Sequence, residues 1–279
     1  MLDLKLRLVS VLIALTALVI FCLVFDYFRL LRRPWRLGLY FGVLGIIGAG
    51  VLMTNAVLPT SLMYGDVYYQ GSQAEKRVAL TFDDGPNPPY TLQILDILSR
   101  HDVEATFFLI GKNVEKYPEV AREIVERGHR VGNHSFTHPD LLKMNAEQIA
   151  WEIDATTEII ERETGIRPTL FRPPHGFKDP VVLDKARERK LHVVQWTLIA
   201  RDWKNPGVEQ IADRIVSRIQ NGSIILLHDG DGIVNGGDRS QTVAATEMII
   251  TQLQKAGYSF VTVDELLKDN REGTSKQSR

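Results

Sequence analysis

The sequence predicts an α/β fold of parallel strands and crossover helices, preceded by two membrane-spanning helices. Three observations predict it. From Lys76 to Leu267, short apolar runs alternate regularly with amphipathic stretches, the pattern of repeated β–α units. That stretch is roughly 190 residues, short of the ~250 typical of a full eight-unit barrel. Ahead of it, two runs carry no charged residue, and each is long enough to cross a hydrocarbon core as a helix.

These runs are Leu8–Phe25, 18 residues, and Leu37–Leu58, 22 residues. Glycines 38, 42, 45, 48 and 50 would weaken a soluble helix, but membranes tolerate them and they permit close helix contact. Arginines 29, 32, 33 and 36 lie between the runs, and the positive-inside rule places that loop in the cytoplasm. The expectation is a two-span anchor over 1–58 in the cell membrane, with the following domain on the extracytoplasmic side. A cleaved signal peptide led by Lys5 and Arg7 is the competing reading. It lacks a clean small-x-small site, and a second apolar run comes at once. Cys22, the only cysteine, excludes an internal disulfide framework and a cysteine-based zinc site.

Residues 59–75 read as a tether that can dock through Tyr64, Tyr68 and Tyr69. Strands are expected at Val78–Phe82, Ala105–Ile110, His129–Gly132, Thr169–Phe171, Leu191–Trp196, Ser223–Leu227 and Ser259–Val263. Helices are expected at Tyr90–Arg100, Tyr117–Arg127, Ala146–Thr164, Pro180–Lys190, Val208–Gln220 and Gln241–Ala256. Glycines 128, 165, 222 and 257 supply helix stops. Trp151 and Trp196 sit in apolar contexts and read as core; Asp238 or Ser240 reads as a helix cap. Residues 268–279 are polar and read as a disordered tail. A net charge of −1 without a basic block argues against nucleic acid as a partner.

Chemistry concentrates in a few phrases. Thr81-Phe82-Asp83-Asp84-Gly85-Pro86 puts two carboxylates at the end of an apolar run. His134-Ser135-Phe136-Thr137-His138 places two imidazoles four residues apart, on one face if they share a helical turn. One carboxylate and two imidazoles give three ligands with an open position, the pattern of a catalytic metal site. Strand alternation points neighbouring residues to opposite faces, so one Asp can bind metal while the other takes a proton from an attacking water. Taken singly, each phrase is as well explained by a turn or by loop hydrogen bonds. Three further phrases downstream make that explanation inadequate for the set.

They are Phe171-Arg172-Pro173-Pro174-His175-Gly176, Asp202-Trp203 and Ile224-Ile225-Leu226-Leu227-His228-Asp229. In this order the set resembles the polysaccharide deacetylases of carbohydrate esterase family four, over residues 76–267. The resemblance implies an incomplete seven-strand (β/α) barrel and a catalytic domain over 76–267. It implies Asp83 as general base, and Asp84, His134 and His138 as ligands of one divalent metal ion. Arg172 would orient Asp83, and Asp202 would pair with His228, the general acid. The segment around His175 would wall the groove and offer a backbone N–H to the oxyanion, while Trp203 and Leu226 would line the acetyl pocket. Asp-His-His suits zinc, and nickel, cobalt or manganese can also occupy such a site. Two positions depart from the family pattern: His175, where an aromatic such as Tyr is more usual, and Ile199, where an Asp often stands.

The implied function is metal-dependent removal of N-acetyl groups from an extracellular polysaccharide containing N-acetylglucosamine, peptidoglycan or a chitin-like polymer. The rivals are an O-acetyl esterase or other amidase of the same fold, and a catalytically silent surface glycan-binding protein.

Overall fold

The computed structural model describes residues 19–21, 24, 33–233 and 237–268. Most of the predicted first span, Cys22, Arg29 and Arg32 of the arginine loop and the expected tail beyond Lys268 lie outside them. The chain divides at Ala56/Val57 into two compact units. In the first, helix α1 runs over Arg33–Val57. Among the described residues one helix, over Gly38–Val57, is long and apolar enough to cross a membrane by length and composition. The two-span expectation therefore has one described helix behind it.

The second unit is a curled parallel sheet flanked by helices. Its strands are β1 (Arg77–Gly85), β2 (Thr106–Leu109), β3 (Arg130–Asn133), β4 (Leu170–Phe171), β5 (His192–Val193), β6 (Leu198–Ile199), β7 (Ile224–His228) and β8 (Ser259–Phe260). Seven run in the order β5-β4-β3-β2-β1-β7-β6, and β8 pairs with the start of β1. All pairings are parallel. This is an incomplete (β/α) barrel, with β5 and β6 at its two ends.

Alternation along the two central strands sets what faces where. Val78, Leu80 and Phe82 of β1, with Ile225 and Leu227 of β7, pack into the larger core beneath the helices. Ala79, Ile224 and Leu226 join a second core with Phe108 and Trp196. Thr81, Asp83 and His228 continue that second face, which brings chemistry-bearing side chains to the strand ends inside the half-barrel. In register, Asp83 stands opposite His228.

The helices are α2 (Tyr90–Arg100), α3 (Gly111–Lys116), α4 (Pro118–Glu126), α5 (Ala146–Thr164), α6 (Pro180–Glu188), α7 (Val208–Val216) and α8 (Ser240–Lys255). Helix α5 begins at a capping box, with Asn145 and Gln148 satisfying each other's backbone N–H, and ends at Gly165 with φ 73°. Trp151, expected in the core, is 54% exposed. Ile149 and Ile153, one helical turn apart, define the buried face of α5, and a residue midway between them points away from it. The segment after α1 docks closely. Tyr68 N–H donates to Val193 O at 2.8 Å, Gln195 N–H donates to Tyr68 O at 2.7 Å, and Gly71 N–H donates to Gly222 O at 2.8 Å. Tyr64 and Tyr69 pack on one core, Tyr68 on another. This segment thus links the β5 side of the open half-barrel to the base of β7.

Candidate active site

A cleft of about 740 Å³ opens at the strand ends, and Asp83, Asp84, His134, His138, His175 and His228 all line it. The two aspartates line the same cleft although they are neighbours in β1. The register against β2 shifts between Asp83 and Gly85, and Asp84 takes φ 78°. A bulge of this kind adds an unpaired residue and re-aims its side chain, so alternation fails at the one position where both carboxylates are needed.

The histidines do not share a helical turn, contrary to that expectation. His134 follows β3, and the chain then bends through Ser135 (φ 67°) and His138 (φ 56°). Local bonds hold the bend: Ser135 N–H donates to Asn133 Oδ1 at 2.9 Å, and His138 N–H donates to the Ser135 hydroxyl at 3.1 Å. Glu152 of α5 accepts from Phe136 N–H at 2.7 Å, Thr137 N–H at 2.8 Å and Thr137 Oγ1 at 2.6 Å. Sequence reasoning misses Glu152; its signal is a Glu on the buried face of an otherwise apolar helix stripe.

Asp84, His134 and His138 bring one ligand atom each to within 4.8 Å of one another. Asp84 Oδ1 lies 3.5 Å from His134 Nε2 and 3.3 Å from His138 Nε2, yet it is buried without a hydrogen-bond partner. His134 Nδ1 is 2.7 Å from Arg172 O, a contact that requires the proton on Nδ1 and leaves the Nε2 lone pair facing Asp84. Two lone-pair donors turned toward each other in a buried site repel unless a cation lies between them. Burial opposes charge on Asp84, but the imidazoles of His134, His138 and His228 outweigh it and hold the carboxyl well below the usual range. Burial pushes His138 down to about 3, only partly offset by Asp84, so its imidazole is neutral and able to ligate. The donor set fits a divalent metal ion.

Arg172 is fully buried. Its Nη1 donates to Asp83 Oδ1 at 2.6 Å and to Thr81 Oγ1 at 2.8 Å, while Nε and Nη2 donate to the carbonyls of Val194 and Gln195. The guanidinium also stacks 4.0 Å from the Phe108 ring. Four of the five N–H donors are used in this way, so Asp83 is held by a group that cannot itself swing. Asp83 Oδ2 stays on the cleft side, 3.7 Å from His134 Nε2.

Across the cleft, Asp202 grips His228 twice: Oδ1 lies 2.9 Å from Nδ1 and Oδ2 accepts the His228 N–H at 2.7 Å. Thr242 donates to Asp202 Oδ2 at 3.0 Å. Burial alone would lower the His228 pKa, but the adjacent Asp202 charge and hydrogen bond raise it to about 9. The arrangement presents a protonated imidazole with Nε2 free toward the cleft. Trp203 edges the same ring at 5.0 Å, and Leu226, Ile199 and Trp196 complete an apolar wall. His175, at φ 59° in a short 3-10 turn, edges His138 at 4.7 Å on the opposite side. Gln195 holds that turn through Nε2, which donates to Gly176 O at 3.1 Å.

All ten residues expected in the site from sequence thus meet in or directly behind one cleft. Such a set can hold a cation, accept a proton from water on one side and deliver one on the other. Comparison with known proteins places the chain in a family. The polysaccharide deacetylase family model matches residues 70–194. A peptidoglycan-N-acetylglucosamine deacetylase of Bacillus cereus is 42% identical over 220 residues, covering 78% of this chain and 99% of the relative. Among solved structures, the Bc1960 peptidoglycan N-acetylglucosamine deacetylase superposes with a TM-score of 0.69 at 37% identity, over 72% of this chain and 92% of that one. BA3943 of Bacillus anthracis, described as a CE4 family pseudoenzyme, superposes with a TM-score of 0.66 at 34% identity, over 72% of this chain and 68% of that one.

Proposed function

Starting from a chain that belongs to the polysaccharide deacetylase family and is a polysaccharide N-deacetylase, we propose that it removes acetyl groups from N-acetylglucosamine residues of peptidoglycan outside the cytoplasmic membrane. The observation that carries the reading is the orphaned Asp84 Oδ1, facing two imidazoles between a clamped carboxylate and a protonated histidine. Asp84, His134 and His138 would hold one divalent metal ion, zinc being the best fit, which when bound supplies Lewis acidity to the acetamide oxygen and to water.

The remaining work falls to side chains of this chain. Asp83 Oδ1 is occupied by Arg172, which leaves Oδ2 to take the proton of the attacking water. The turn at His175 walls the cleft and offers its backbone N–H to the oxyanion of the tetrahedral intermediate, where a fixed donor is worth most. His228 Nε2 delivers its proton to the departing nitrogen, which leaves as an amine rather than an amide anion. Asp202 holds the His228 ring by Nδ1 and keeps it charged until that moment. Trp203 and Leu226 bound a small apolar space that suits the acetyl methyl and keeps bulk water from the carbonyl.

The membrane reading rests on the apolar helix Gly38–Val57 and on the arginines that precede it. A silent glycan-binding role is disfavoured by the complete base, acid and ligand set. The test is acetate release by the detergent-solubilised full chain from peptidoglycan, chitooligosaccharides and O-acetylated xylan, with and without a chelator. Release from peptidoglycan that stops on chelation and returns with zinc is expected. Release from the O-acetylated polymer alone would replace the amide by an ester, and no release from any polymer would leave only binding.

A further inference from the structure

Glu152 is buried at 2% exposure in α5, and no basic side chain pairs with it among the described residues. Such a carboxylate is costly to bury unless donors surround it. Its three donors all come from two consecutive residues, Phe136 and Thr137, and both lie inside the loop whose ends are His134 and His138. That loop crosses two residues at positive φ, Ser135 and His138, a backbone state that persists only where the surroundings over-determine it.

We propose that Glu152 is the positioning residue of the metal centre: its carboxylate fixes the 134–138 loop so that both imidazoles reach the position faced by Asp84. The proposal rests on the metal reading above and deepens it. A carboxylate suits the task for a stated reason. It is acceptor-only, so both oxygens can receive donors at once, Oε2 from two backbone N–H groups and Oε1 from the Thr137 hydroxyl. A glutamine of the same shape can keep the pairing, its oxygen accepting both N–H groups and its NH₂ donating to the Thr137 hydroxyl, but gives up the charge-assisted bonds. A leucine of similar size removes all three acceptor contacts. Gly111 shows how tightly the same loop is held on its other side, because a Cβ there would meet the Phe136 ring at 2.3 Å. The loop has one seat, with Phe136 packed on one side and the Glu152 carboxylate bonded on the other.

The test reads metal affinity rather than turnover. Zinc dissociation constants for the solubilised full chain are measured by chelator competition in wild type, Glu152→Gln, Glu152→Leu, Thr137→Val and the Glu152→Leu/Thr137→Val double variant, with thermal unfolding of each metal-free protein recorded alongside. Loss of a partner that orients metal ligands typically weakens binding by roughly 10–100-fold, and that is the range expected for Glu152→Leu, with Glu152→Gln falling between it and wild type. Thr137→Val removes one of the three donors without touching Glu152 and should weaken zinc less. The double variant should fall short of the product of the two single effects, because both act through the same bonds. Equal zinc affinity in wild type and Glu152→Leu overturns the proposal, as does a strictly multiplicative double variant. Absence of zinc binding in the wild type removes the metal reading itself, an outcome distinct from either.

Discussion

Replacing Asp202 by Asn tests the acid side of the site with a magnitude the structure supplies. The substitution keeps the shape and one acceptor, but withdraws the charge that raises His228 from 6.5 to about 9. At a pKa near 9 about 99% of the imidazole is protonated at pH 7 and about 90% at pH 8. Returned to an ordinary 6.5, about a quarter is protonated at pH 7 and about 3% at pH 8. The loss from titration alone is therefore about fourfold at pH 7 and about thirtyfold at pH 8. Without Asp202, burial pushes the imidazole lower while the charges of Asp84 and Asp83 still push it up. Misplacement of the ring would extend the loss toward the 10²–10⁴ attributable to a general acid. The assay is kcat against pH on peptidoglycan, with metal content measured on the same samples. The basic limb should move from about 9 down toward the ordinary 6.5 while metal stays bound, since neither residue is a proposed ligand. A limb that stays in place would show that another group protonates the leaving nitrogen. The same shift has a sign in stability: a raised histidine pKa adds stability that is fully present below about 6.5 and is lost as pH rises through about 9. Wild type should therefore lose its margin over Asp202→Asn between those values, as read by thermal unfolding.

Other contacts give further expected outcomes. His134→Ala should lose bound metal and activity together, whereas Asp83→Asn should lose activity and keep metal; elemental analysis of the purified variants separates them. Gly230→Ala places a Cβ 2.4 Å from the Asp84 carbonyl, backbone that cannot step aside, and should cost about 1–3 kcal/mol in denaturant unfolding. A reporter active only outside the cytoplasm should work when fused after Leu267 and fail when fused at Arg33, and the reverse pattern would exclude peptidoglycan as substrate.

Much of this site was legible because its phrases sit at strand ends, where apolar runs announce themselves and the chemistry comes directly after. The α5 boundaries were readable to the residue, since Asn145 and Gly165 punctuate a long periodic stretch. Helix α3 was not, being six residues with no side-chain cap. Strand β6, two residues long, was hidden between Trp196 and Asp202 for the same reason: periodicity needs length. The geometry of the ligands was the harder part. A spacing of four suggests one helical turn for His134 and His138, and only tertiary contacts with Glu152 reveal a bent loop instead. The bulge at Asp84 leaves no mark in composition, since any strand ending in Asp-Asp-Gly could continue its alternation. Glu152 left only the faint signal of a Glu on the buried stripe of α5, since a Glu in an amphipathic helix reads as solvated until the fold shows its neighbours.

The segment around Tyr68 has one more consequence, for colloidal behaviour. A half-barrel that never closes exposes a strand edge at each end, and an uncovered edge invites pairing with a second molecule. Here the backbone of Tyr68 takes up both Val193 O and Gln195 N–H along β5, so that edge meets its partner within the same chain. Cutting the protein at Lys76, an intuitive boundary by motif alone, would strip this cover and leave β5 free to recruit another copy. Cutting at Val57 keeps it. The two fragments would share every catalytic residue and differ in whether they stay monodisperse.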